Sequence, residues 1–322
     1  FNNLVRNIVS AYTGHLQVHR KGYQDEQILD NSFPQSQETM AILRSADGLA
    51  HAAPRLEAFA LASSGNKTKG CMVLGIDPAA EQQITGWDQR ISEGRYIDGK
   101  QETVMMGERL AERLDIRLGD TVILIGQGYH GSTAAGKYRV GALMHLGSPQ
   151  LNERLLVMPL PMAQQFLSAD SLLTSMVAVM RDGEDMDKAA AQLRSRMGSQ
   201  FETLTWEQIM PEVKQHIETD TRNMRVVQWI LYVLISFGIF STLLIMMVER
   251  RFETGMLLAL GMSKPRIQVL MILESLMTVM LGSVAGITLS VPVVWYLHAR
   301  PIRITGEAAS AYERFGFEPI FP

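Results

Sequence analysis

His15 and His19 lie four residues apart in Gly14-His15-Leu16-Gln17-Val18-His19, a stretch whose alternation predicts a strand. In a strand, residues i and i+4 share a face, so a metal site is conceivable there; a solvated strand face is the simpler reading. The other histidines, among them His51, His130 and His145, show no metal-ligand spacing. Gly65-Asn66-Lys67-Thr68 is the nearest text to a phosphate-binding loop, but it lacks the required glycine pair. Neither H-E-x-x-H nor G-x-S-x-G occurs. Asp182, Glu184, Asp185 and Asp187 form an acidic cluster, read most simply as a loop and helix N-terminus, where carboxylates favour the dipole. The single cysteine, Cys71, excludes an intrachain disulfide; its setting in Gly70-Cys71-Met72-Val73-Leu74, a strand-like apolar run, makes it a structural residue. These residues name no catalytic group and no metal, and a net charge of −3 offers no basic surface for nucleic acid.

Hydrophobicity is distributed unevenly along the 322 residues. Residues 1–225 read as a soluble, mixed α and β segment. Leu56–Ala62 and Lys69–Ile76 are strand-like runs around Ser63-Ser64-Gly65-Asn66, a turn signal. Glu108–Leu114 reads as a helix with Leu110, Ala111 and Leu114 on one side. Gly119-Asp120 turns into the β-branched run Thr121–Ile125, and Asp187–Met197 is a helix burying Ala190, Leu193 and Met197. Thr205–Arg225 is expected to run as helix into the apolar part of the chain.

That part holds Trp229–Val248 and Ser275–Leu297, two uncharged runs, each of a length that crosses a hydrocarbon core of about 30 Å. The second ends in Trp295-Tyr296, a pair suited to the membrane interface. Between them, Glu249–Arg266 carries Arg250, Arg251, Lys264 and Arg266 against Glu249 and Glu253, which places it on the cytoplasmic side. Within it Met256–Leu260 is an apolar helix former, Gly261 a natural C-cap, and Ser263 an N-cap with Pro265 in the next first turn. An apolar helix bracketed by charges needs either a partner surface or the bilayer surface, and spacing alone does not choose between them. Gly282 and Gly286 form G-x-x-x-G, a spacing that lets helices pack closely, within the chain or across a dimer. Glu274 opens the second run as a carboxylate at the interface.

The text Val248-Glu249-Arg250-Arg251-Phe252-Glu253-Thr254-Gly255-Met256-Leu257-Leu258-Ala259-Leu260-Gly261-Met262-Ser263 resembles the E-R-x-x-E-x-G-x-L-x-A-L-G-x-[ST] signature of the FtsX-like permease family. Leu273-Glu274-Ser275, Gly282, Ser283 and Gly286 fit as well. Val104–Leu114 with Leu118-Gly119-Asp120, and Thr205-Trp206, resemble segments of that family's MacB-like periplasmic core domain. Gly14–Tyr23 is most similar to lipoprotein-release permeases.

The resemblance implies a membrane α-helical protein with two complete transmembrane helices of four, plus an α+β extracytoplasmic domain. Residues 1–13 would end the first transmembrane helix and its stalk; 14–204 would be the periplasmic domain and 205–225 a stalk helix. Transmembrane helices would occupy 226–248 and 267–297, around a coupling loop 249–266. Residues 298–322 would lead to a last helix, so the sequence reads as incomplete at both ends. The resemblance also implies an ABC-type permease, not itself an enzyme, in the inner membrane. Its partners would be a separate cytoplasmic ATPase that holds the ATP and Mg, and a second permease copy or paralogue. Membrane lipid and a lipoprotein cargo or periplasmic protein would also be partners. A non-transporting signalling permease and a drug or peptide efflux permease are the alternatives. Glu249, Arg250, Arg251, Glu253, Gly255, Leu257, Leu258, Ala259, Leu260 and Gly261 would contact the ATPase, with Glu249 and Glu253 on one helical face. This topology has a direct check: with Cys71 replaced by alanine, a cysteine introduced as Thr254→Cys stays unlabelled by a membrane-impermeant thiol reagent in intact cells and reacts once they are opened.

Overall fold

The computed structural model describes residues 12–99, 101–181, 183–299, 302–303 and 320–321. The expected membrane-helix end in 1–11, Asp182 and most of the external segment 298–322 lie outside the described residues. Among the described residues the chain divides into two compact units, one running to Pro211 and the other from Glu212 onward.

The first unit is built on strands β1 (Leu16–Arg20), β2 (Phe33–Pro34), β3 (Leu49–Ser64), β4 (Lys67–Ile76), β5 (Ile91–Gly94) and β6 (Thr103–Gly107). They continue as β7 (Thr121–Gln127), β8 (Thr133–Met144), β9 (Leu155–Pro159), β10 (Leu172–Leu173), β11 (Ser175–Met180) and β12 (Phe201–Thr205). Ten of them form one sheet in the order β12-β1-β11-β3-β4-β9-β6-β8-β5, with β7 bridging β3 and β8; β2 and β10 pair separately. Pairing is antiparallel except at β4–β9 and β6–β8, so the domain is α+β. The β3–β4 hairpin extends further than the sequence indicates, from Arg55↔Ile76 to Ser64↔Lys67, and turns at Gly65 with φ +57°, which only glycine adopts freely.

Helices cover the sheet where their apolar faces predict. Glu108–Leu114 buries Leu110, Ala111 and Leu114. Met186–Arg196, N-capped by Asp185, buries Ala190 and Leu193, and Met197 follows them into the core. Asp77 caps Pro78–Thr85 by accepting from the Ala79 and Ala80 amides, with Pro78 at the first helical position. That helix carries Glu81 to Arg55 of β3. The Arg55 Nε and Nη2 donate to Glu81 at 3.0 and 2.5 Å, Nη1 donates to the Tyr12 carbonyl at 2.6 Å, and both side chains are fully buried. The guanidinium also lies over the Tyr12 ring. Burial alone would lower the Arg55 pKa; the facing carboxylate more than reverses this.

One expectation is overturned here. His15 and His19 do not line a solvated face: His19 is 2 % exposed. Its ring nitrogens lie 3.1 Å from the Thr174 carbonyl and 2.9 Å from Gln17 Oε1, a neutral ring donating to one of the two, and the ring stacks on Tyr23. The polar face of β1 is buried because Gln17 and His19 satisfy one another there. Burial lowers the His19 pKa to about 4, so the ring is neutral at physiological pH. His15 instead accepts from the Met180 amide. Cys71 is buried, and burial pushes its thiol up to about 12, far from a reactive thiolate.

The second unit is helical. Thr205–Arg225 is not one continuous helix. A capping box at Thr205 and Gln208 starts the short helix Trp206–Ile209, Met210 leaves helical geometry, and a 39-residue helix runs from Pro211 to Glu249. The break falls where Pro211 lacks the N–H that would continue the ladder. A second long helix spans Lys264–Ala299. Segments Thr221–Glu249 and Lys264–Leu297 are long and apolar enough to cross a membrane, with mean hydropathies of 2.4 and 1.9 and none of their apolar window buried. At 1.5 Å per residue the 39-residue helix is roughly 58 Å long, almost twice a hydrocarbon core, so about half of it stands outside the apolar layer.

The Arg55–Glu81 pair gives a stability test. Arg55→Met strands a buried carboxylate and costs about 3–5 kcal/mol. Arg55→Met with Glu81→Leu recovers most of that loss, measured by chemical unfolding followed through Trp87, which is buried in the same unit.

Candidate functional site

The residues of the family signature gather where the chain passes from one long helix to the other. Arg250 interrupts the helix with φ −93° and ψ 13°, although its amide still reaches the Met246 carbonyl at 3.1 Å. A separate helix then runs from Arg251 to Ala259. Its end is a Schellman motif: Gly261, at φ +93°, donates its amide to the Leu258 carbonyl, and Met262 donates to the Leu257 carbonyl, both at 3.0 Å. The next helix begins directly after Ser263, with Pro265 in its first turn. The junction is therefore a helix, a sharp stop and a restart, as the sequence indicates.

Its exposed surface is apolar. Phe252, Met256 and Leu260 follow one another at four-residue spacing and are 76, 59 and 78 % exposed; Leu258 is exposed too, and Leu257 only half so. Glu253, Gly255, Ala259 and Gly261 lie among them at this surface, Gly255 carries no side chain, and a Cβ there would meet nothing within 4 Å. Phe252 and Met256 belong to this stripe although the family signature does not single them out; their i, i+4 spacing with Leu260 marks them. The expectation that Glu249 and Glu253 share one face needs correction: Glu249 closes the first helix and Glu253 belongs to the second, with the Arg250 break between them.

Sequence reasoning also misses the partner of Arg250. Its Nη1 forms an ion pair with Glu274 Oε1, which lies in the helix Lys264–Ala299. No spacing rule relates residues 24 apart on two helices; only the reversal of the chain joins them. Gly282 and Gly286 sit further along that helix, and a Cβ on either would meet nothing within 4 Å. Among the described residues no three His, Cys, Asp or Glu side chains cluster to hold a metal.

The Arg250–Glu274 pair is half exposed, so its expected effect is modest. Arg250→Glu or Glu274→Arg alone should raise amide hydrogen exchange across residues 250–262 several-fold, by setting like charges together. The double exchange of charges should restore protection; equal exchange in all four proteins would show the pair to be idle.

A MacB-like periplasmic core domain model matches residues 1–196, and an FtsX-like permease C-terminal model matches residues 225–320. The lipoprotein-releasing system transmembrane protein LolC of Xylella fastidiosa is 21 % identical over 272 residues, covering 81 % of this chain and 64 % of that protein. LolE of Haemophilus influenzae, from the same kind of system, is 23 % identical over 248 residues, covering 74 % of this chain and 59 % of that protein. The chain thus spans about three-fifths of the length of these curated relatives. Among solved structures, the periplasmic region of MacB from Actinobacillus actinomycetemcomitans is similar, with a TM-score of 0.46 at 16 % identity over 67 % of this chain and 98 % of that one. The two family models together take in both units, and the chain belongs to the FtsX-like ABC transporter permeases with a MacB-like periplasmic core domain.

Proposed function

We propose that the chain is the permease subunit of an ABC-type export complex in the bacterial inner membrane. In this reading the junction 249–266 is the cytoplasmic docking site of a separate ATPase chain. The observation that carries the proposal is the stripe Phe252, Met256 and Leu260, exposed on a short helix that charged residues hold at the edge of the apolar layer. Arg250, Arg251, Glu253 and Lys264 bracket the stripe, so the bilayer core does not cover it without also taking in charge. A groove on a partner covers it at no such cost.

ATP and Mg act on that partner. ATP-driven closure of two ATPases presses on the helix Arg251–Ala259, and the ion pair of Arg250 with Glu274 makes the following helix move with it. The 39-residue helix carries the displacement across the membrane, because an uninterrupted hydrogen-bonded rod is stiff along its axis. The extracytoplasmic α+β domain then releases an amphiphilic cargo. Lipoproteins are the favoured class, supported by the lipoprotein-releasing proteins among the relatives. A second permease copy or paralogue completes the translocation path, with Gly282 and Gly286 available for close helix packing.

Seating one leucine in a partner groove contributes roughly 1.5–3 kcal/mol, so losing the contact weakens binding by about tenfold or more. Leu260→Asp and Glu253→Lys should each prevent co-purification of the ATPase chain and uncouple ATP turnover from transport, while the protein still inserts and folds. Retention of both properties in both variants would remove the junction as the docking site.

A further inference from the structure

The α+β unit has a second exposed apolar surface, independent of the junction. β9 pairs with β4 only from Leu155, opposite Met72, to Pro159, opposite Ile76. Residues 67–71 of β4 pair with β3 on one side and, among the described residues, have no strand on the other. The sheet therefore has a step where β9 runs out. A notch of about 610 Å³ lies along it.

The two walls of the notch differ in chemistry. On the outer face of the sheet, Phe59, Leu61 and Ile125 are 60, 51 and 48 % exposed. They form one row: Leu61 is directly opposite Ile125 on β7, and Phe59 is two residues along on the same face. On β4 the row meets Gly70, opposite Leu61, where no side chain fills the space and a Cβ would touch nothing within 4 Å. The other wall comes from the helices Glu108–Leu114 and Pro149–Arg154, which contribute Arg113 and Arg154, and Lys69 stands on the edge itself. Among the described residues lining the notch Glu153 is the one carboxylate, pairing with Arg113 at 2.9 Å and Arg109 at 3.7 Å. At the end of the edge Asp115 pairs with Lys67 at 2.5 Å, and Lys69 and Arg154 leave basic charge in excess.

A free edge needs backbone partners, and a strand laid on it points successive side chains to opposite faces. One set would extend the Phe59–Leu61–Ile125 row across Gly70. The alternate set would face Arg113 and Arg154. We infer that the step beside β4 residues 67–71 is a strand-addition site for an extended segment of another polypeptide, alternating apolar and acidic residues. Lysine on an exposed edge discourages stray strand pairing, and here the same charge selects an acidic strand. Five edge residues at about 3.4 Å each accommodate roughly 17 Å of such a segment.

The test uses the full chain in nanodiscs of zwitterionic lipid and a fluorescent nonapeptide alternating glutamate and valine, followed by anisotropy. The peptide should bind and slow amide exchange within residues 67–71. A matched peptide alternating lysine and valine should bind at least about tenfold more weakly. Leu61→Glu and Arg154→Glu, both at exposed positions, should each lose about tenfold in affinity without a change in thermal unfolding. Absence of binding, equal binding of the lysine peptide, or binding without protection of 67–71 would each overturn the inference. So would displacement of the peptide by laurate with no edge protection, which would assign the notch to an acyl anion. A change in sedimentation of the peptide-free protein on Arg154→Glu would assign it to a second copy of the chain instead.

Discussion

Two helices that are apolar on every side have to be joined by a segment that reverses the chain, and the turn cannot be made in hydrocarbon. Backbone groups freed at a turn need water or protein partners, which lipid does not supply. In the proposed topology the reversal between Glu249 and Lys264 falls in the aqueous phase, where every carbonyl at its two stops must still be satisfied. Arg250 solves the first stop by keeping its amide on Met246 while its backbone leaves helical geometry. Gly261 solves the second through the paired bonds of the Schellman motif. The helix that remains between these stops keeps a membrane-like apolar stripe in a place where the membrane core does not cover it. The proposed coupling to another protein rests on this conflict between composition and position.

The ion pair of Arg250 with Glu274 adds a modest tie between the junction and the helix that follows it. The α+β unit is held in a comparable way, by one buried constraint: Arg55 binds the Glu81 carboxylate, the Tyr12 carbonyl and the Tyr12 ring at once. That set of contacts ties the chain entering β1 to the centre of the sheet and to the helix Pro78–Thr85. A domain that responds to displacement as one body needs such cross-links between sheet, helix and entry segment.

How much of this is legible in the sequence depends on the range of the interaction. The long helices are legible because absence of charge over Trp229–Val248 and Ser275–Leu297 is a local property. The buried faces Leu110, Ala111, Leu114 and Ala190, Leu193, Met197 are legible for the same reason: helical period fixes them within two turns. The stop at Gly261 and the restart after Ser263 come from single residues. Alternation misplaces His19 because it says which residues share a face, not whether that face is covered; Thr174, 155 positions away, and Tyr23 cover it. The Arg55–Glu81 and Arg250–Glu274 pairs are invisible in the sequence because neither separation is a period of helix or strand. The continuous helix expected over Thr205–Arg225 fails at Met210, where the missing N–H of Pro211 outweighs the propensity of the residues around it. The exposed stripe is half legible: Met256–Leu260 stands out as a run, whereas Phe252 joins it only once the helix is known to start at Arg251.

The central claim is that the exposed stripe between the two long helices is covered by the ATPase chain. It is tested most directly by placing a photo-reactive benzoylphenylalanine at position 256 in the native membrane, with a second protein carrying it at Ile245 as the control. Irradiation should join position 256 to the ATPase polypeptide and leave position 245 joined only to lipid or permease, as read from the mass of the adducts. Adducts from position 256 that contain lipid alone, in membranes where the ATPase is present and active, would contradict the account.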